Sequence, residues 1–136
     1  MAAHEERLAV LYDRECGFCA WALSWLLRWD RARCLEPVAI QSEEGQRLLA
    51  DMPPEQRLES WHSCQAQGRL RSGGEALSDV LARLPLGAPL ARLTAHYPRA
   101  TERAYAWVAA HRSALGRLLS DASKRRARAL IAARML

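Results

Sequence analysis

The feature that most constrains this chain is a change of period at residue 16. Leu8-Ala9-Val10-Leu11-Tyr12 is a short apolar run without helical spacing, and such a run reads as a buried strand. Asp13-Arg14-Glu15 follows as a polar turn. From Cys16 onward, Trp21, Trp25, Leu26 and Trp29 recur at intervals of three and four, with Cys19, Leu23 and Leu27 beside them. That spacing predicts an amphipathic helix running to about Asp30, with Asp13 or Glu15 capping its start. The junction between strand and helix is occupied by Cys16-Gly17-Phe18-Cys19.

The later elements continue the alternation. Leu35 to Ile40 predicts a second strand, with Pro37 pointing to an edge or an irregular start. Ser42-Glu43-Glu44 opens a helix containing Leu48 and Leu49, which ends before Pro53-Pro54. Ser60 to Gln65 and Arg69 to Arg71 flank Gln67-Gly68 and read as a hairpin. Ser72-Gly73-Gly74-Glu75 fits a capping box, followed by a helix with Leu77, Val80, Leu81 and Leu84 that stops at Pro85. Helices over Leu90 to Ala95, Arg99 to His111 and Ser113 to the C-terminus complete the chain. Strand–helix–strand followed by a hairpin implies a parallel unit joined to antiparallel strands. The expected fold is α/β, a thioredoxin-like mixed sheet with flanking helices and a helical C-terminal extension. The division is 1–112 for the domain with its closing helices and 113–136 for the basic helical extension.

The charge distribution limits the partners. The net charge is +5 over 136 residues, yet the segment from Asp121 to Leu136 holds five cations against one acid, a net +4, leaving +1 for residues 1–120. A high pI concentrated in a tail does not describe a nucleic-acid-binding body, whose cations spread over one face. The tail reads as a solvated face, with Leu130, Ile131 and Met135 on one side able to dock onto the body or a partner. Contact with an anionic membrane surface is the alternative. The start, Met1 to Arg7, is polar, and no apolar run reaches the roughly 18 residues of a membrane span. The expectation is a soluble, cytoplasmic chain.

Four cysteines stand at 16, 19, 34 and 64. In a reducing compartment a CxxC signals redox chemistry or metal binding rather than a structural staple. Thiol–disulfide exchange needs a thiolate attacker and a second thiol that resolves the mixed disulfide. Cys16, at the first helical position, would face unpaired backbone N–H groups, which lower a thiol pKa. Cys19, one turn further in, is the resolving thiol. Gly17 allows the close turn, and Phe18 shields the pair or faces a partner. Asp13 has two open readings: a helix cap, or the base that accepts the Cys19 proton. Its charge and that of Glu15 oppose thiolate formation at Cys16.

The run Leu11-Tyr12-Asp13-x-x-Cys16-Gly17-Phe18-Cys19 resembles the opening of the DCC family, also called DUF393, of thiol–disulfide oxidoreductases with thioredoxin-like folds. Leu26-Leu27-Arg28-Trp29-Asp30, Gln41-Ser42-Glu43-Glu44-Gly45 and Gly68-x-x-x-Ser72 follow in register, and Ala104-Tyr105-x-Trp107-Val108-Ala109-x-His111-Arg112 resembles the closing helix. The resemblance covers roughly residues 7–117. It implies dithiol–disulfide exchange by Cys16, Cys19 and Asp13 with a protein or small-molecule thiol or disulfide substrate, an electron donor and no cofactor. No proline directly precedes the third strand, where thioredoxins place one facing the CxxC. The rival reading is a binding or adaptor module whose CxxC is structural or holds zinc, completed by Cys34, His62 and Cys64. Trp21, Trp25 and Trp29 are expected to be core.

Overall fold

The computed structural model describes residues 7–66 and 68–135. The polar start before residue 7, Gln67 of the hairpin turn and Leu136 at the end of the basic helix lie outside them. β1 (Leu8–Tyr12) is an inner strand of a four-stranded sheet of order β2-β1-β3-β4. Leu8, Val10 and Leu11 have no exposed surface. Leu8, Val10 and Tyr12 point into one apolar layer with Leu23, Leu27 and Val80, while Leu11 points into the other with Val38, Ile40 and Leu49. A strand covered on both faces has no polar side to alternate with, so its sequence is a continuous apolar run.

The chain leaves β1 through α1 (Gly17–Trp29) and returns as β2 (Leu35–Ala39), parallel to β1 from Leu8↔Leu35 to Tyr12↔Ala39. β2 is an edge strand, a position that tolerates Pro37. α2 (Glu43–Leu48) follows, capped by Ser42, whose Oγ accepts from Gly45 N at 3.1 Å. A Cβ at Gly45 would lie 2.2 Å from the Ala39 carbonyl oxygen, so only glycine lets α2 pack this closely on the strand end. β3 (His62–Gln65) and β4 (Leu70–Ser72) form the expected hairpin, with β3 antiparallel to β1.

Five helices complete the fold: α3 (Gly73–Ala82), α4 (Ala88–His96), α5 (Pro98–Ala110), α6 (Arg112–Arg117) and α7 (Asp121–Met135). The mixed sheet and flanking helices are the expected α/β arrangement, with three local differences. Ser72 does not make the capping box, because His62 lies opposite it and takes its hydroxyl at 2.6 Å; Glu102 on α5 instead accepts from Gly74 N at 2.9 Å. The final basic helix is two, since Ser120 stops the run and recaps it, its Oγ accepting from Ser123 N at 3.1 Å. The buried face of α1 is Ala20, Leu23, Ser24 and Leu27 rather than the tryptophans. Trp25 is 53% exposed under Arg28, Trp21 is half-buried, and Trp29 packs at the core margin with its Nε1–H on the Pro85 carbonyl. Spacings of three and four describe both stripes. The face turned to the sheet and to α7 is the narrower one.

α7 lies along α1, burying Ala127 and Ile131, while Met135 stays half-exposed. Its last cation is anchored in the body. Asp30, 1% exposed, accepts from Cys34 N at 2.9 Å and Leu35 N at 2.8 Å, and Arg134 reaches it at 2.8 Å. The same guanidinium donates to the Leu27 carbonyl at 2.8 Å. One buried pair thus ties the end of α1, the start of β2 and the end of α7. Removing one partner of such a pair leaves an uncompensated buried charge. Arg134→Met is therefore expected to lower unfolding stability by about 3–5 kcal/mol in urea titration, and Asp30→Asn with Arg134→Met to recover part of it. A loss below about 1 kcal/mol, the range of an exposed pair, would show that Asp30 does not depend on Arg134.

Candidate active site

The strand end and the helix start place the CxxC. Cys16 is the N-cap of α1, with an extended backbone (φ −88°, ψ 109°). Its N–H donates to the Asp13 carbonyl at 3.2 Å, and its Sγ accepts from Cys19 N at 3.3 Å. The thiol thus does the work expected of a carboxylate cap and stands one position earlier than the first helical residue. Neither Asp13 nor Glu15 caps the helix. The Asp13 carboxylate turns back to accept from Glu15 N at 3.0 Å and from Gln41 Nε2 at 2.7 Å, and Glu15 is exposed.

The two thiols are electrostatically unequal. The Cys19 thiol donates to Cys16 Sγ, and the sulfurs are 2.6 Å apart. This bond, then the Cys19 N–H and the charge of Arg112, bring Cys16 down to about 6 from an ordinary 9.0, against the opposing effects of burial and Asp13. The helix N-terminus favours a negative charge at this position. Cys19 is pushed strongly upward, because its proton is held in the bond to Cys16 and it is the more buried thiol. The arrangement supplies one thiolate near neutrality and one proton-bearing neighbour within reach of it.

Residues far along the chain enclose the pair. A side chain at Gly17 would meet the aliphatic stem of Lys124 at 3.0 Å, and Gly116 of α6 packs against Phe18. Phe18 leans on Trp21 with ring centroids 5.9 Å apart. Arg112, the first residue of α6, sits 4.0 Å from Asp13 and donates to the Leu58 carbonyl at 3.0 Å. Tyr105 of α5 accepts from Trp61 N at 2.8 Å and stacks on the Trp61 ring; burial pushes it up to about 12, so it keeps its proton. The position before β3 is held by Trp61, not by a proline. Cys19, Asp13, Arg112 and Tyr105 share one end of a cleft of about 690 Å³.

Sequence reasoning singled out Cys16, Cys19 and Asp13, and the structure brings them together at one end of the sheet. It gave no role to Gln41, Tyr105, Arg112 or Lys124. Tyr105 and Arg112 stood in the segment resembling the closing helix, which was the only signal for them. The other thiols and His62 lie elsewhere. Cys34 is next to Leu8, its carbonyl accepting from Leu8 N at 2.8 Å, so it sits at the opposite end of β1 from Cys16. Cys64 packs in the second apolar layer with Leu11 and Val38. His62 donates from Nε2 to the Arg57 carbonyl at 2.8 Å, so Nδ1 accepts from Ser72 at 2.6 Å; burial lowers its pKa and keeps it neutral. Among the described residues, no three His, Cys, Asp or Glu side chains are grouped to hold a metal ion.

Alkylation by iodoacetamide tests the split between the thiols. Cys16 is expected to react first, with a rate that rises through a midpoint at about pH 6, and Arg112→Met to move that midpoint upward. Peptide mapping in which Cys19 is modified before Cys16, or a midpoint near 9.0, the ordinary thiol value, would overturn the electrostatic assignment.

No curated protein and no solved structure matches the chain. Residues 10–118 match the family described as DCC1-like thiol-disulfide oxidoreductase. The match runs from within the first strand through the CxxC and the hairpin to the closing helices that carry Tyr105 and Arg112, and on it the chain belongs to the DCC1-like thiol-disulfide oxidoreductase family.

Proposed function

We propose that the chain carries out dithiol–disulfide exchange, with Cys16 as the attacking thiolate and Cys19 as the resolving thiol. The observation that carries this reading is the hydrogen bond from Cys19 to Cys16, which lowers one thiol and raises the other. Cys16 attacks one sulfur of a substrate disulfide, forms a mixed disulfide and expels the first substrate thiolate, which takes a proton. Once Cys16 is covalently bound it no longer accepts the Cys19 hydrogen bond. Cys19 then loses its proton, attacks Cys16 Sγ and expels the second thiolate, leaving an oxidised 16–19 pair. An electron donor, itself a thiol, returns the pair to the dithiol. Sulfurs 2.6 Å apart need little backbone movement to close a bond of about 2.05 Å.

Asp13 serves the second step. It makes no hydrogen bond to either sulfur, yet its charge acts on both cysteines and it lines the same cleft end as Cys19. Gln41 and the Glu15 N–H hold one carboxylate oxygen and leave the other toward Arg112. From there it accepts the Cys19 proton through one bridging water. No described helix is long and apolar enough to cross a membrane.

Cys16→Ser is expected to abolish reduction of a model disulfide, and Cys19→Ser to accumulate a mixed disulfide on Cys16 visible by mass spectrometry. Asp13→Asn keeps the bond to the Glu15 N–H, so the fold holds while resolution slows by on the order of 100-fold. Equal activity of Cys16→Ser and the parent chain would remove this reading. Asp13→Asn with unchanged resolution would reduce Asp13 to a turn residue.

A further inference from the structure

The cleft that begins at Cys19 extends far beyond what exchange between two thiols needs. It runs between α1, α3, α4 and α5, walled by Leu26, Leu77, Leu93 and Val108, with Ala104 open on its flank. Leu93 and Tyr97 are 54% and 55% exposed at its sides, an unusual placement for large apolar groups unless something covers them. At about 690 Å³ it lies within the size range of small-molecule sites.

The wall argues against an extended polypeptide occupant. An extended peptide needs partners for its backbone N–H and C=O groups, which usually come from a sheet edge. Neither edge strand, β2 nor β4, contributes to this cleft. The side-chain polar atoms of Thr94, Thr101 and Trp61 in the wall are already engaged. Thr94 Oγ1 donates to the Ala91 carbonyl and pairs with Ser78, and Thr101 Oγ1 bonds the Thr94 and Tyr97 carbonyls. Trp61 uses its N–H on Tyr105 and its Nε1–H on the Gly73 carbonyl. Unengaged polar capacity is the Tyr97 hydroxyl at the side of the cleft and, at the reactive end, the Tyr105 hydroxyl proton, Asp13 and Arg112.

From this we propose that the cleft is the binding site for a low-molecular-weight apolar disulfide, its hydrocarbon groups in the helical cleft and its sulfurs at Cys19, whose Sγ lies 2.6 Å from that of Cys16. The assignment rests on the exchange reaction proposed above and names its substrate class. The step balances as R–S–S–R plus the Cys16–Cys19 dithiol giving two R–SH and the 16–19 disulfide, with a thiol reductant such as dithiothreitol resetting the pair.

The test uses the full chain and two disulfides, dibutyl disulfide and bis(2-hydroxyethyl) disulfide, each rate divided by that of the same disulfide with free dithiothreitol, which removes the lower basicity of the hydroxyethyl thiolate. In single-turnover reactions of the reduced protein, dibutyl disulfide is expected to react at least about 10-fold faster, since each buried methylene is worth about four-fold in affinity. Ala104→Trp and, separately, Leu93→Glu are expected to collapse that ratio toward 1, because one fills the cleft and the other charges it. In Cys16→Ser/Cys19→Ser, 8-anilinonaphthalene-1-sulfonate is expected to bind and dibutyl disulfide to displace it. If neither disulfide reacts but displacement persists, the exchange reading fails and the cleft assignment stands as a binding site. Equal rates for the two disulfides, or no displacement, overturns the cleft assignment while exchange stands. Faster reduction of an apolar-flanked peptide disulfide than of dibutyl disulfide assigns the cleft to polypeptide instead. Loss of dye binding as the chain dimerises assigns it to a second copy. Either outcome overturns the proposal.

Discussion

A strand buried on both faces requires cover on both sides of its sheet, and β1 imposes that requirement on the whole molecule. Leu8, Val10 and Tyr12 demand one apolar layer, and Leu11 demands another. α1, α3 and α7, which lies beside α1 against β2, supply the first, while Leu49, beside α2, and Cys64 of β3 help close the second. With both faces covered, the C-terminal end of β1 becomes the place where the chain emerges and must turn. That is where Cys16 stands. The reactive thiol is positioned by hydrophobic burial of the residues before it.

The site's electrostatics come from two sources of different range. Locally, the cap geometry aims the Cys16 sulfur at the Cys19 N–H, and one turn of helix brings the Cys19 thiol within hydrogen-bonding distance. These interactions are encoded by four adjacent residues. Farther away, Arg112 adds a positive charge from a helix that begins more than ninety residues later, and Asp13 opposes it. The first source makes the pair asymmetric. The second tunes how far the asymmetry goes, and it depends on α5 and α6 returning to the end of β1.

The C-terminal helix belongs to this arrangement more closely than its composition suggests. Its cations Arg125, Arg126 and Arg128 are exposed as a solvated face would be, but Arg134 turns inward to Asp30 and the Lys124 stem lies across Gly17. The buried pair at one end of α7 and the Lys124 contact at the other hold the helix along α1. A side chain at Gly17 would displace only the flexible Lys124 stem, by a few tenths of an ångström.

The strand–CxxC–helix unit was legible in the sequence because its signals are local: an apolar run without period, a switch to helical spacing and two cysteines at the switch. The edge position of β2, the Ser42 cap and the hairpin were legible for the same reason. Stripe selection on α1 was not. Spacing alone cannot choose between Trp21/Trp25 and Ala20/Leu23/Leu27, since volume between packed elements decides it. The Ser72 cap failed because a strand partner, His62, outcompeted the helix for one hydroxyl. Cys16 took the capping role from Asp13 because Gln41 and the Glu15 N–H had already claimed that carboxylate. The sequence by itself determined the parallel unit and the hairpin, the reactive motif and its place at a helix start. Only the tertiary structure decided which distant groups, Arg112, Tyr105, Gln41 and Lys124, meet there, because the long returns that assemble them leave no periodicity in the chain.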